Sequence, residues 1–120
     1  MPAYNFRAEF AEAVESGRKT HTIRRPRKRP TRPGDRLKLY TGQRTRECRL
    51  LREVTCTRVT PVWIHCCVIY LDDRRLGYPE ADELAVADGF TDFTEMNAFF
   101  ERLYGPSVDL ELIEWEVVTR

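Results

Sequence analysis

Between Arg24 and Pro33 the chain reads RRPRKRPTRP, and its three prolines limit what can form there. Proline has no amide donor, holds φ near about −65°, and drives the preceding residue out of the α region. No helix and no central strand can run through Pro26, Pro30 and Pro33, so the segment is an extended loop that ends in the Pro33–Gly34 turn. The fold must therefore be assembled from a short piece before this loop and a long piece after it. The same stretch carries Arg24, Arg25, Arg27, Lys28, Arg29 and Arg32. A stiff cationic loop of this kind is suited to a phosphate backbone.

On the N-terminal side, Phe6, Phe10 and Val14 recur every four residues, with Ala11 and Ala13 alongside. This spacing predicts a short amphipathic helix, with Gly17 as its C-terminal stop. KTHTIR then reads as a strand, with Thr20, Thr22 and Arg24 on one face and His21 and Ile23 on the other. Beyond the loop, DRLKLYTG alternates with Leu37 and Leu39 inward. A long β-rich run continues through ECRLLREVTCTRVTPVWIHCCVIYL, with Pro61 predicted to divide it or mark a bulge. DDRRLGYPE reads as a turn region. EADELAVADGF and DFTEMNAFFERLYG read as helices, the second capped by Thr91 or Asp92 and packed through Phe93, Met96, Phe99, Phe100 and Leu103. DLELIEWEVV closes the chain as a strand. The expected class is α+β, a small β-barrel of roughly five to six strands with flanking short helices, formed by a single domain over residues 1–120.

Charge sharpens the reading. Residues 1–60 hold 16 Lys and Arg against 6 Asp and Glu, a balance of +10; residues 61–120 hold 4 against 13, a balance of −9. Such a split means either two faces of opposite sign or extensive cross-pairing. No apolar run is long enough to span a membrane, and MPAYNFRAEF lacks the layout of a signal peptide, so a cytoplasmic location is expected. In that reducing setting Cys48, Cys56, Cys66 and Cys67 are expected as buried or half-buried free thiols. Their spacing with His21 or His65 fits no common zinc pattern, and no cofactor is implied.

The segment GRKTHTIR carries the chemistry. Lys19 is crowded by Arg18, Arg24 and Arg25; partial desolvation of such an amine lowers its pKa and lets it take a proton. Beside the Thr22 hydroxyl it resembles the amine–hydroxyl pairs of some hydrolases, provided the chain bends at Thr20–His21. Equally, Lys19, Thr20, Thr22 and Arg24 form a clamp for an anion. A P-loop is excluded because Arg18 separates Gly17 from Lys19. Arg44, in the TGQRT turn, can hold a phosphate or carbonyl, or simply close a hairpin. His21 can serve as a base, stack on a ligand or pack. Trp63 and Tyr40 are able to stack on bases, but both fall in strands, where core packing is the usual fate. Asp88, between the two helices, is a cap, a solvated charge or a site acid.

SGRKTHTIR after a first helix, PGDRLKLYTGQRT some way on, and ADGFTDFTEMNAFF near the end together resemble an ASCH domain, a relative of the PUA-type RNA-binding barrels. The resemblance runs over nearly the whole chain in order. It implies a barrel with a cleft lined by the Gly17–Lys19 motif and by the later helical segment, in a fold that binds or processes RNA. Taken with the charge pattern, RNA or a modified nucleoside is expected to be held by Lys19, Thr20, His21, Thr22, Arg24, Arg25, Arg27, Lys28, Arg29 and Arg44. Some small bacterial members hydrolyse N4-acetylcytidine. By their motif Lys19 would be the base, Thr22 the nucleophile that takes the acetyl group, and Asp88, standing at the place of a glutamate, the acid for the leaving amine. The alternatives are a ribonuclease using Lys19 or His21 with Asp88, and a non-catalytic module that binds a partner through its charged faces.

Overall fold

The computed structural model describes residues 2–117. Seven strands and three helices occur among them. In chain order they are β1 (Ala3–Phe6), α1 (Ala8–Ser16), β2 (His21–Arg24), β3 (Arg36–Thr41), β4 (Arg49–His65), β5 (Val68–Leu71), β6 (Arg74–Arg75), α2 (Tyr78–Ala87), α3 (Phe93–Tyr104) and β7 (Ser107–Glu116). The class is α+β, as expected, with one or two strands more than the sequence suggested. The strands hydrogen-bond in the order β1-β3-β4-β5-β6, and β7 pairs with both β2 and β4. No described helix is long and apolar enough to cross a membrane.

The chain divides into two compact units, one of residues 1–21, 29–59 and 113–120, the other of 22–28 and 60–112. β2, β4 and β7 each run from one unit into the other. The first unit is built on β1, parallel to β3, and β3, antiparallel to β4 with a bulge at Leu39/Tyr40. Its core joins Tyr4, Phe6, Val14, Leu37, Leu39, Val54, Ile113 and Trp115, where alternate positions of each strand point inward. Phe6 was expected in the first helix but belongs to β1: Arg7 has extended backbone, so α1 starts only at Ala8. Gly17 stops α1 as expected, at φ 87° with its amide donating to Val14 O at 3.2 Å.

The second unit packs α2 and α3 on the β4–β5 hairpin. Its core joins Ile23, Val62, Ile64, Ile69, Ala85, Phe93, Met96, Phe100 and Leu110. Asp92 caps α3 by accepting the Glu95 amide at 2.9 Å. Leu103, expected in the α3 stripe, is exposed: its spacing from Met96 and Phe100 keeps it on their side, but it lies in the last turn, one residue before the helix ends. Pro61 neither divides nor ends β4, which runs unbroken through it.

Three of the four cysteines overturn the expectation of burial: Cys48, Cys66 and Cys67 are exposed and only Cys56 is buried. Cys66 and Cys67 are not strand residues but form the two-residue turn between β4 and β5, both at positive φ (47° and 67°). That mirror-image turn matches strand twist and turns both side chains away from the core.

Candidate functional site

The element that follows Gly17 places the residues singled out by the sequence. After the α1 cap, the Lys19 amide donates to Ala13 O at 2.9 Å, which draws the chain back along the helix. Lys19 is buried, 6% exposed, and its Nζ stands 5.7 Å from the centre of the Phe10 ring. The face of an aromatic ring attracts an ammonium group and helps offset its desolvation. Of the cations expected to crowd it, Arg18 is committed to Glu12 at 3.0 Å. Because β2 starts only at His21, Lys19 lies before the strand, and the rule that residues three apart face opposite ways does not apply to it and Thr22. Thr20 also precedes the strand, and its carbonyl accepts the Trp115 amide at 3.0 Å.

His21 is half-buried, and its pKa is lowered to about 4 by burial and by the neighbouring positive Lys19. The ring is therefore neutral near pH 7, and a group that titrates this low is a weak general base there. Thr22 is buried, 4% exposed. Its Oγ1 accepts a hydrogen bond from Arg24 Nε at 2.9 Å. Arg24 and Thr22 do share a face, as their spacing requires. With the guanidinium on its lone pair, the Thr22 hydroxyl keeps its own proton for an acceptor, and any negative charge formed on the oxygen is stabilised.

The loop that follows is held at both ends. The Arg25 guanidinium lies 4.8 Å from the centre of the Tyr104 ring, a stacking contact within the second unit. Thr31 is buried, with its hydroxyl hydrogen-bonded to the Tyr4 hydroxyl in the first unit. Arg25 itself, and Arg27, Lys28 and Arg29 between the two anchors, are exposed. The loop closes where Arg32 N donates to Asp35 Oδ2 at 2.9 Å and Gly34 N to Cys56 O at 2.7 Å.

Arg44 is exposed at φ 66° in a turn set by Gly42. Gly42 is itself at φ 65°, and a Cβ there would meet Glu47 O at 2.8 Å, so only glycine fits. Thr45 seals the turn, its Oγ1 donating to Gly42 O at 2.6 Å. Asp88 is the C-terminal cap residue of α2, half-buried, with its amide donating to Leu84 O at 3.0 Å. Lys19 thus belongs to the first unit, and Thr22 and Asp88 to the second. No group of three or more His, Cys, Asp or Glu among the described residues could hold a metal ion.

Two further residues stand out. Trp63, expected to pack in the core, is instead 39% exposed. Its ring stacks on His65 at 4.8 Å and on Tyr70 at 5.1 Å, and its Nε1 donates to Ser107 Oγ at 3.1 Å. The signal was present in the alternation of VWIH: Val62 and Ile64 point inward, so Trp63 and His65 must point outward. Glu111 is the other. Its Oε2 is buried with no hydrogen-bond partner, and burial raises its carboxyl pKa. Nothing in DLELIEWEVV distinguishes this glutamate from its acidic neighbours. No family model, curated protein or solved structure matches the chain.

Proposed function

We propose that the chain is an ASCH-like, RNA- or nucleoside-binding protein that grips nucleic acid through the loop following β2. The observation that carries this reading is the exposed basic run Arg25, Arg27, Lys28 and Arg29, held at one end by Tyr104 and at the other by Thr31. Anchoring matters because a cationic loop already restrained loses less entropy on binding than a free tail would. Such a run contacts phosphates with little regard to sequence, and its affinity falls steeply as counterions compete. The experiment is fluorescence anisotropy with single-stranded RNA across a salt series. Replacing Arg27, Lys28 and Arg29 by alanine should lower the log–log salt slope by about 2–3. An unchanged slope, or no binding by the parent chain, overturns the reading.

A catalytic reading is supported by the state of Thr22. Its hydroxyl is buried and accepts from Arg24, an arrangement that suits a nucleophile. On this reading the chain removes the acetyl group from N4-acetylcytidine, with Lys19 as base, Thr22 as nucleophile and Asp88 as acid, as the ASCH resemblance implies. Cytidine release by the purified protein, lost in both Lys19→Ala and Thr22→Ala, is the expected result. No turnover by the parent protein sinks it.

A further inference from the structure

A row of flat groups runs from the core of the second unit to its surface. Phe100 is buried in that core, at 5% exposure. The ring of Tyr104, one turn further along α3, lies 6.4 Å from it and within 19° of parallel. Tyr104 is 39% exposed, and the Arg25 guanidinium stands over its ring at 4.8 Å. Arg25 is itself exposed, so the row ends at the solvent on a planar cation. All three residues belong to the second unit. Among the described residues the Arg25 side chain makes no hydrogen bond and no ion pair, whereas Arg74 is committed to Glu80 at 2.8 Å. The contact with Tyr104 therefore holds the guanidinium in place without using its N–H donors. Arg27 and Lys28, two and three residues on and in the same unit, are exposed cations.

We infer that this row is a stacking platform for an unpaired nucleobase, which lies on the face of the Arg25 guanidinium turned away from Tyr104. The inference rests on the nucleic-acid reading and deepens it by naming the substrate as single-stranded RNA. Three features select a single strand. A guanidinium plane is a surface on which unpaired bases stack, and here it stands beside the cations that the loop offers to phosphate. In a duplex the faces of the bases are hidden by stacking within the helix, and what remains is phosphate, hydroxyls and base edges. A cation that met only phosphate would gain nothing from a ring behind it, and a lysine would serve as well. The platform is also preset. Tyr104 is backed by a core ring and carries the guanidinium, so little freedom is lost when a base arrives. An acidic peptide would match the charges of this run but has nothing to lay on the plane.

Fluorescence anisotropy of the full chain tests the assignment with an oligouridylate, the same ribose–phosphate strand without bases, the oligouridylate paired with oligoadenylate, and polyglutamate. The base-free strand carries the same phosphates, so the oligouridylate should bind about tenfold tighter than it. Arg25→Lys keeps the charge and removes the plane. It should weaken the oligouridylate about tenfold and leave the base-free strand, the duplex and the salt slope unchanged. Tyr104→Leu, which removes the ring behind the cation, should act in the same direction and on the oligouridylate alone. Equal affinity for the strands with and without bases overturns the inference without any variant. So does an Arg25→Lys effect that is absent or equal on all three nucleic acids, or tight binding of polyglutamate in their place. A salt slope that falls when Arg27, Lys28 and Arg29 are replaced by alanine, with no preference for bases, counts against the platform alone. A preference for bases that survives in that triple variant with an unchanged slope counts against the loop alone.

Discussion

The two units are of similar size yet solve different problems. The first relies on strands, with one short helix, α1, whose N-cap residue Arg7 makes no side-chain cap bond. The second places two helices on a hairpin, and α3 begins on a bonded Asp92 cap. Their charges also differ: the first unit holds 13 Lys and Arg against 8 Asp and Glu, the second 7 against 11. Balances of +5 and −4 are about half those of the sequence halves, because residues 22–28 carry four cations into the otherwise acidic unit. Folding thus moderates the charge asymmetry that the linear sequence displays. It does so by building each unit from distant segments of chain.

The comparison is broken most severely at the two cores. Leu37→Ala in the first unit and Met96→Ala in the second each remove a fully buried side chain and should cost about 2–5 kcal/mol in urea unfolding. Hydrogen exchange then tells whether the units open together. Protection lost in only one of them marks separate cooperative units, and equal loss marks one.

Acid should act on the units in opposite directions. His21 has a folded pKa of about 4 against an ordinary 6.5, so the unfolded chain binds more protons between these values. Its contribution is full above pH 6.5 and is lost as pH falls towards 4, on the order of 2–3 kcal/mol. Glu111 in the second unit has a raised pKa, so its contribution is present below the ordinary value of 4.5 and is lost as pH rises through the folded value. Stability measured against pH should lose its acid-side slope in His21→Phe and its opposite slope in Glu111→Gln. An unchanged profile in either variant refutes the corresponding assignment.

Smaller effects sharpen the picture. Gly42→Ala should destabilise the first unit by more than about 1 kcal/mol, from positive φ together with a clash on the Glu47 carbonyl. Gly34→Ala, also at positive φ but with nothing within 4 Å, should cost only the backbone term. Equal melting-temperature shifts would rule out the steric part. Asp92→Ala should cost about 1 kcal/mol by removing the α3 cap, and Arg7→Ser should add a few tenths to α1, where that bond is missing. Thermal unfolding of the two variants checks the opposite signs.

Much of this architecture was legible in the sequence because it depends on local chemistry. The prolines at 26, 30 and 33 dictate an exposed loop, Gly17 ends α1, Asp92 starts α3, and the alternation around Leu37 and Leu39 buries one face of β3. The spacing that joins Thr22 to Arg24 on one strand face likewise needs no long-range information. β1 was missed because Phe6 fits a helical stripe as well as a strand end, and only pairing with β3 distinguishes the two. The exposure of Cys66 and Cys67 depended on a tight turn that no glycine or asparagine announces.

The sequence by itself thus determined most of the helical and extended segments, β1 and β6 excepted, and where the cations gather, since these follow from periodicity, proline and glycine. Only the tertiary structure decided which segments share a core, how the charges divide between the two units, and that Glu111 rather than Asp109 has an oxygen buried without a donor. Burial and hydrogen-bond satisfaction are properties of neighbours brought together from afar, and a lone glutamate in an alternating strand carries no record of them.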